Sequence, residues 1–403
     1  MSPPVACSPG IFIEVGHAQE RKQGQAACGD VFVSHKADGS GRIICVLADG
    51  LGSGIKASVL ANLTATMALR YAAAEANLAQ AAATILASLP ICSERRIAYS
   101  TFTIIDLEPR GEVRVVEYDN PPSLLLRQGA QTAISRSEYR VPLPEGQREA
   151  ILREARFTAE PGDRLVVCSD GVSQAGVGAR TMPFGWGMDG AGAFLEDLLR
   201  NRPNISARQM ARSLTQRALQ FDGHAAKDDI TGSVFYLRNP RELMLFTGAP
   251  AQKVRDPELA ELARGFAGRK VVCGGTTATI LARELGLDLN LNSSLDNLDP
   301  EVPPEASLAG FDLVTEGAIT LAVTARMLER ENNPDQLRPN AATRLAGLLL
   351  DSDLIHIVAG TKINEALQDP SLPQELDIRR NLVRRLQRTL SERHLKDVRI
   401  RFI

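Results

Sequence analysis

Apolar and polar residues alternate through "GIFIEVGHAQ" and "DVFVSHKADGSGRIICVLADG", a period of two that predicts β-strands, with "DGSG" turning the chain between the second and third. From Ile55 to about Ala76 the period lengthens, and "IKASVLANLTATMALRYAAAEA" predicts a long alanine-rich helix. A second helix is predicted across "LAQAAATILASL", stopped near Pro90. "AYSTFTIIDL", "EVRVVEYDN" and "PSLLLRQ" then read as β-rich runs, and "RFTAEPGDRLVVCSDG" as two strands around a Pro161-Gly162 turn. Helical spacing returns between about Gly185 and Phe221, in "GAFLEDLLRN" and in "SARQMARSLTQRALQF", for which Ser206 is a candidate N-cap. "KDDITGSVFYLR" closes the half as a strand, so residues 1–239 are expected to form an α+β layered core.

Asn239-Pro240 marks the predicted boundary with a second domain, residues 240–403. There "ELMLFTGA", "KVVCGGTTATILARELG", "FDLVTEGAITLAVTARML" and "DLIHIVAGTK" alternate strand and helix, as an α/β domain does. The chain closes with "RRNLVRRLQRTLSERHLKDVRIRFI", a basic amphipathic helix followed by a strand, read as a solvated helix face. "CGGTT" has two readings. Gly274, Gly275, Thr276 and Thr277 would offer N–H groups and hydroxyls to an anion at a helix N-terminus. Alternatively they form a tight turn in which Thr276 or Thr277 caps the helix, and this is the preferred reading. The segment is neither a Walker loop nor a dinucleotide fingerprint.

Composition acts mainly by exclusion. The 403 residues carry 46 basic and 48 acidic side chains, a net charge of −2, which gives no footprint for nucleic acid or anionic lipid. Cys7, Cys28, Cys45, Cys92, Cys168 and Cys273 are scattered, several within apolar runs, which favours a reducing compartment. With no secretory signal pattern and no apolar run of membrane-spanning length, a cytoplasmic protein is expected.

The chemistry lies in four aspartates placed where strands begin or end: Asp30 in "CGDVFV", Asp49 in "VLADGLGSG", Asp170 in "LVVCSDGVS" and Asp228 in "KDDITGSVF". Any one Asp-Gly is ordinarily a turn. Together at one sheet edge they would form an oxygen-only donor set suited to Mg²⁺ or Mn²⁺. Two such ions about 3.5–4 Å apart can share a carboxylate and activate a water for attack on phosphorus. Asp49 is the candidate for sharing, and Gly50, lacking a side chain, would bring its carbonyl close to a metal.

This ordered set, with "YDNPPSLLLR" and "PGDRLVVCSDGV" between its members, resembles the metal-dependent Ser/Thr protein phosphatases, in the branch of the sporulation stage II protein E phosphatase and the bacterial stress-signalling phosphatases. The resemblance spans about Ile11 to Arg238. It implies an αββα-layered β-sandwich with two Mn²⁺ or Mg²⁺ ions at one edge. Asp30, Asp49, Asp170 and Asp228 fall on the metal-binding aspartates, Gly50 on the carbonyl ligand, and Asp229 is a further candidate acting through water. The family's Gly-x-Pro-Pro turn appears as "DNPPSLLL" without its glycine and is read as structural. Arg21 and Lys22 are candidates for holding substrate phosphate; His17, His35 and His224 have no evident role.

The resemblance further implies hydrolysis of phosphoserine or phosphothreonine on a bacterial regulatory protein, such as a phosphorylated anti-sigma-factor antagonist. Residues 240–403 would regulate or oligomerise the chain, with a small-molecule effector and a homodimer as expectations. The alternative is a non-catalytic signalling module with a ligand-sensing second domain.

Overall fold

The computed structural model describes residues 11–37, 39–74, 78–89, 100–141, 149–291, 302–330, 338–362 and 375–403. Ala76, Pro90, Cys7 and Cys92 lie outside the described residues. The chain divides into two compact units at Asn239 and Pro240.

In the first unit the elements run β1 (Phe12–Glu20), β2 (Asp30–Lys36), β3 (Ile43–Gly50), α1 (Gly54–Ala73), α2 (Leu78–Ser88), β4 (Ser100–Leu107), β5 (Glu112–Tyr118) and β6 (Leu124–Arg127). They continue with β7 (Ala130–Thr132), β8 (Arg136–Val141), β9 (Ala150–Thr158), β10 (Arg164–Cys168), α3 (Asp170–Ser173), α4 (Gly187–Asn201), α5 (Ala207–Phe221) and β11 (Ile230–Arg238). They build two antiparallel sheets, ordered β1-β11-β10-β6-β7 and β2-β3-β4-β5-β9-β8. The sheets meet where Phe32 of β2 lies 6.4 Å, ring centre to ring centre, from Phe235 of β11 and stacks at 4.7 Å on His17 of β1.

The strands are apolar on both faces because each sheet has a neighbour on each side. Ile44, Val46 and Ala48 of β3 pack toward the helices with Ala61, Ala65, Ala68 and Ala72 of α1 and Ile85 and Leu86 of α2. Ile43, Cys45 and Leu47, which alternate with them, are equally buried on the other face. Small residues along α1 let that helix lie close to the sheet. On the far side, Leu195 and Leu199 of α4 and Met210, Ala211 and Leu214 of α5 cover Val166, Val234 and Tyr236. Each fully buried Leu or Ile in these layers contributes about 1.5–3 kcal/mol. Ser206 caps α5, its Oγ accepting the Gln209 N–H at 3.2 Å. Glu14 of β1 fastens the same end, accepting the Ala207 N–H and the guanidinium of Arg238 at 2.8 Å.

β7 and β8 escape sequence periodicity. Their residues are mostly exposed, so no alternation of apolar and polar side chains marks them, and main-chain pairing at the sheet edges holds them.

The second unit contains β12 (Glu242–Thr247), α6 (Asp256–Gly265), β13 (Arg269–Cys273), α7 (Gly275–Leu285), β14 (Leu289–Leu291), β15 (Ala306–Leu308) and β16 (Leu313–Thr315). It ends with α8 (Ala318–Glu329), α9 (Ala341–Leu350), β17 (Leu354–Ala359), α10 (Glu375–Glu392) and β18 (Asp397–Phe402). Its parallel strands lie in the order β16-β13-β12-β17-β18, with β15 and β14 added antiparallel at one edge. Helices α6 and α7 cover one face, and α8, α9 and α10 the other. The fold is thus an α+β sandwich followed by a smaller mixed α/β unit. Among the described residues no helix is long and apolar enough to cross a membrane.

Gly50 is fixed by this packing. A Cβ placed there would stand 2.1 Å from the backbone oxygen of Ala57 in α1. Gly50→Ala is therefore expected to destabilise the chain by about 3 kcal/mol. Gly347, inside α9 with open space at its Cβ position, gives the contrast: Gly347→Ala is expected to stabilise by about 0.5–1 kcal/mol. Thermal unfolding of the two variants checks both signs.

Candidate active site

Strand register brings the first two carboxylates together. Asp30 opens β2 and pairs directly opposite Asp49 near the end of β3. Facing side chains in an antiparallel pair have Cβ atoms about 4.5–5.5 Å apart, and like charges there repel. The other sheet supplies the rest. β10 ends at Cys168, Ser169 follows, and Asp170 opens α3; Asp228 and Asp229 lead directly into β11. The Ser169 N–H donates to the Thr231 carbonyl at 3.0 Å and the Thr231 N–H donates to Ser169 Oγ at 3.0 Å, joining these ends. Thr231 Oγ1 then donates to Asp30 Oδ2 at 2.6 Å, from one sheet to the other. Gln19 Nε2 supports both, donating to Thr231 Oγ1 at 3.1 Å and to the Asp30 carbonyl at 3.3 Å.

Electrostatics report the same convergence. Burial, and then the charges of Asp30, Asp170 and Asp228, push Asp49 well above the ordinary aspartate range. Asp30 is raised by burial, against the hydrogen bonds from Thr231 and Ser169. Asp170 is raised by burial and then by Asp228, and its carboxylate is hydrogen-bonded to Asp49. Two carboxyls so placed disfavour ionising together.

The remaining predicted residues take different positions. Asp229 Oδ1 accepts the Lys22 N–H at 2.9 Å and Oδ2 the Gly29 N–H at 2.8 Å, so this side chain fastens the loop before β2. That loop presents Lys22 Nζ 3.4 Å from Asp228 Oδ1. Arg21 turns back onto its own loop, donating to the Ala26 carbonyl at 2.9 Å. His224 occupies a left-handed turn position after α5 (φ 63°). Asn120, buried in the Pro-Pro turn, accepts from Thr101 Oγ1 at 2.5 Å and donates to Thr103 Oγ1 at 3.1 Å, tying the turn to β4.

The structure adds a reason for the glycines that differs from close approach to a metal. Both Asp-Gly glycines are filled by neighbouring backbone: a Cβ on Gly171 would meet the Asp229 carbonyl oxygen at 2.1 Å, just as one on Gly50 would meet Ala57. In the second unit, no side chain caps α7. Its N-cap is Gly274, and the Thr277 hydroxyl is buried without a hydrogen-bond partner, so neither Thr276 nor Thr277 caps the helix.

Sequence reasoning missed Ser169, Thr231 and Gln19, which brace the carboxylates from positions far along the chain. It also missed Gln174, whose Nε2 donates to Asp170 Oδ2 at 2.8 Å, and Asp119, whose charge further raises Asp170. Only Asp119 had a local signal, as the acidic residue before Asn120 in a turn, where its φ is 55°.

Among the described residues no group of three or more His, Cys, Asp and Glu is arranged to hold a metal ion as the side chains stand. Asp30 is turned to the Thr231 hydroxyl, Asp170 to the Gln174 amide, and Asp228 to the Lys22 ammonium and the Asp229 N–H. Their chemistry nevertheless fits divalent cations: the donors are all oxygen, the carboxylates repel, and Asp30 Oδ1 is buried with no hydrogen-bond partner.

An edge of buried and half-buried aspartates on a helix-flanked double sheet fits one class, a Ser/Thr phosphatase-type domain. Residues 39–237, close to half of the chain, match the family model described as Stage II sporulation protein E (SpoIIE), and the first unit is a domain of that family. The chain is 16% identical to the phosphatase domain of SpoIIE from Bacillus subtilis, with a TM-score of 0.43, covering 58% of this chain and 95% of that one. It is 16% identical to the RsbU and RsbW domains of a Mycobacterium tuberculosis protein (TM-score 0.47, 64% and 68% covered). It is 17% identical to the SiaA-PP2C domain of Pseudomonas aeruginosa (TM-score 0.40, 55% and 85% covered). No curated protein sequence matches the chain.

The raised carboxyls make a prediction about stability. Groups that bind protons more tightly folded than unfolded contribute stability that is intact below the ordinary aspartate value of 3.8 and is lost as pH rises toward their native values. With chelator present, Asp49→Asn is expected to raise the Tm at pH 7 by roughly 4 °C or more and to leave it nearly unchanged around pH 4. A lower Tm at pH 7 would contradict mutual repulsion among these groups.

Proposed function

We propose that the first unit removes phosphate from serine or threonine of a phosphorylated regulatory protein, using two divalent cations, Mg²⁺ or Mn²⁺. The observation that carries this reading is the gathering of Asp30, Asp49, Asp170 and Asp228 at one edge, with Asp30 Oδ1 buried and unpartnered. Those four carboxylates and the Gly50 carbonyl would hold the cations. When bound, such ions supply Lewis acidity at a phosphoryl group and lower the pKa of a water.

The protein's own residues orient and balance the edge. Thr231 and Gln19 fix Asp30, and Gln174 fixes one oxygen of Asp170. Asp229 holds the loop that presents the Lys22 ammonium, a positive charge placed to meet phosphoryl oxygens at the rim. In this reading Lys22 lowers KM more than it raises kcat. By its family, the partner class is a small phosphorylated regulator such as an anti-sigma-factor antagonist. Residues 1–239 are assigned to catalysis and 240–403 to regulation.

The test is hydrolysis of p-nitrophenyl phosphate and of a phosphoserine peptide, with Mn²⁺, Mg²⁺ or chelator. Turnover is expected only with metal and to fall about a hundredfold or more in Asp49→Asn. Lys22→Met is expected to raise KM several-fold with a smaller change in kcat. Folded wild type that turns over neither substrate with either metal would overturn the reading.

A further inference from the structure

The parallel strands of the second unit, counted along the chain, lie in the order 3-2-1-4-5. In open sheets of this kind the order reverses between the first and fourth strands, here β12 and β17, and the loops leaving their carboxyl ends diverge to form a crevice. The turns at this edge are glycine-rich: Gly248 follows β12, Gly274 and Gly275 follow β13, Gly317 follows β16 and Gly360 follows β17. α7 and α8 begin there side by side, since a Cβ placed on Gly317 would stand 3.5 Å from Gly274 Cα.

Three observations give the edge a chemical character. Thr277 Oγ1, on a fully buried residue and without a hydrogen-bond partner, faces the position a Gly274 side chain would occupy. It lies 3.1 Å from that point, and the Gly248 nitrogen lies 3.8 Å from it. Thr320, at the matching position of α8, likewise has a buried hydroxyl without a partner. A buried unsatisfied hydroxyl is costly and calls for a reason. Second, Arg379 of α10 brings a cation to the crevice: its Nη1 lies 2.9 Å from a Cβ placed on Gly248 and donates to the Lys362 carbonyl at 3.4 Å. Third, the exposed Glu316 lies beside these donors, its Oε1 3.5 Å from a Cβ placed on Gly275, and adds an acceptor.

We propose that this edge binds a phosphate group, held by the first N–H groups of α7, the Thr277 hydroxyl and Arg379. The acceptor at Glu316 favours a phosphate ester that carries hydroxyl groups over the bare ion. Glycine at position 274 leaves the space a phosphate oxygen needs. The inference concerns the second unit and does not depend on the activity assigned to the first.

The test is calorimetric titration of the full chain, in chelator, with inorganic phosphate, ribose 5-phosphate and adenosine 5′-monophosphate. Saturable binding of at least one is expected, weakened tenfold or more in Thr277→Val and in Arg379→Ala and kept in Thr277→Ser. Tighter binding of either ester than of inorganic phosphate assigns an ester; the reverse assigns the free ion. Thr277→Val is also expected to raise the Tm of the ligand-free chain, because it removes an unsatisfied hydroxyl. A purely structural threonine would show that rise with no change in affinity. That result, or no saturable binding of any of the three, would overturn the proposal.

Discussion

The first unit is organised around a repulsion. The register of β2 on β3 sets Asp30 against Asp49, and the ends of β10 and β11 bring Asp170 and Asp228 to the same edge. Nothing in backbone pairing requires acidic residues there, and after burial it is the charges of Asp30, Asp170 and Asp228 that raise the affinity of Asp49 for a proton. The surrounding sandwich has to hold that edge closed. It does so with the paired strands, the apolar layers on both faces of each sheet, and the short hydrogen bond from Thr231 that anchors Asp30 across the two sheets. A group of carboxylates kept at such a cost in stability is in keeping with the cation site proposed above, and under that proposal activity and stability would pull in opposite directions at Asp49.

Much of this was legible in the sequence because it is local. Alternation marked the long buried strands, small residues marked α1, and an apolar run ending in Asp-Gly marked two of the site positions. The bracing was not legible. Thr231 stands 201 residues from the Asp30 carboxylate it holds, and Asp229 stands 200 residues from the Gly29 N–H it accepts, so only the pairing of distant strands brings them together. Glycine was legible as a residue but not in its cause: at positions 50 and 171 the neighbouring backbone leaves no room for a side chain. At the start of α7 the threonines looked like caps, yet the chain enters that helix through Gly274 with a φ of 140°, and the hydroxyl points elsewhere.

The two units solve the same problem, placing polar groups at strand ends, with opposite charge. In the sandwich, antiparallel strands deliver side-chain carboxylates to one edge. In the second unit, parallel strands all finish on one side, so helix N-termini and glycine turns gather there and the polar character comes mainly from backbone N–H groups. Arg379 adds to this sign, whereas the aspartates of the first unit oppose one another. The two edges therefore suit ligands of opposite charge for reasons fixed by strand direction.

The pairing of β1 with β11 has a consequence for how the first unit is made. These strands match along nine residues, from Phe12 opposite Arg238 to Glu20 opposite Ile230, although they open and close the unit. β11 also sits inside its sheet, between β1 and β10, and supplies Thr231 next to Asp228 and Asp229. During synthesis, β1 has no sheet to join until the last strand of the unit has emerged. The acidic edge is consequently completed last, because a nascent chain stopped before Asp228 has the pairing of Asp30 with Asp49 but lacks Asp228, Asp229 and the Thr231 hydroxyl that holds Asp30 across the two sheets.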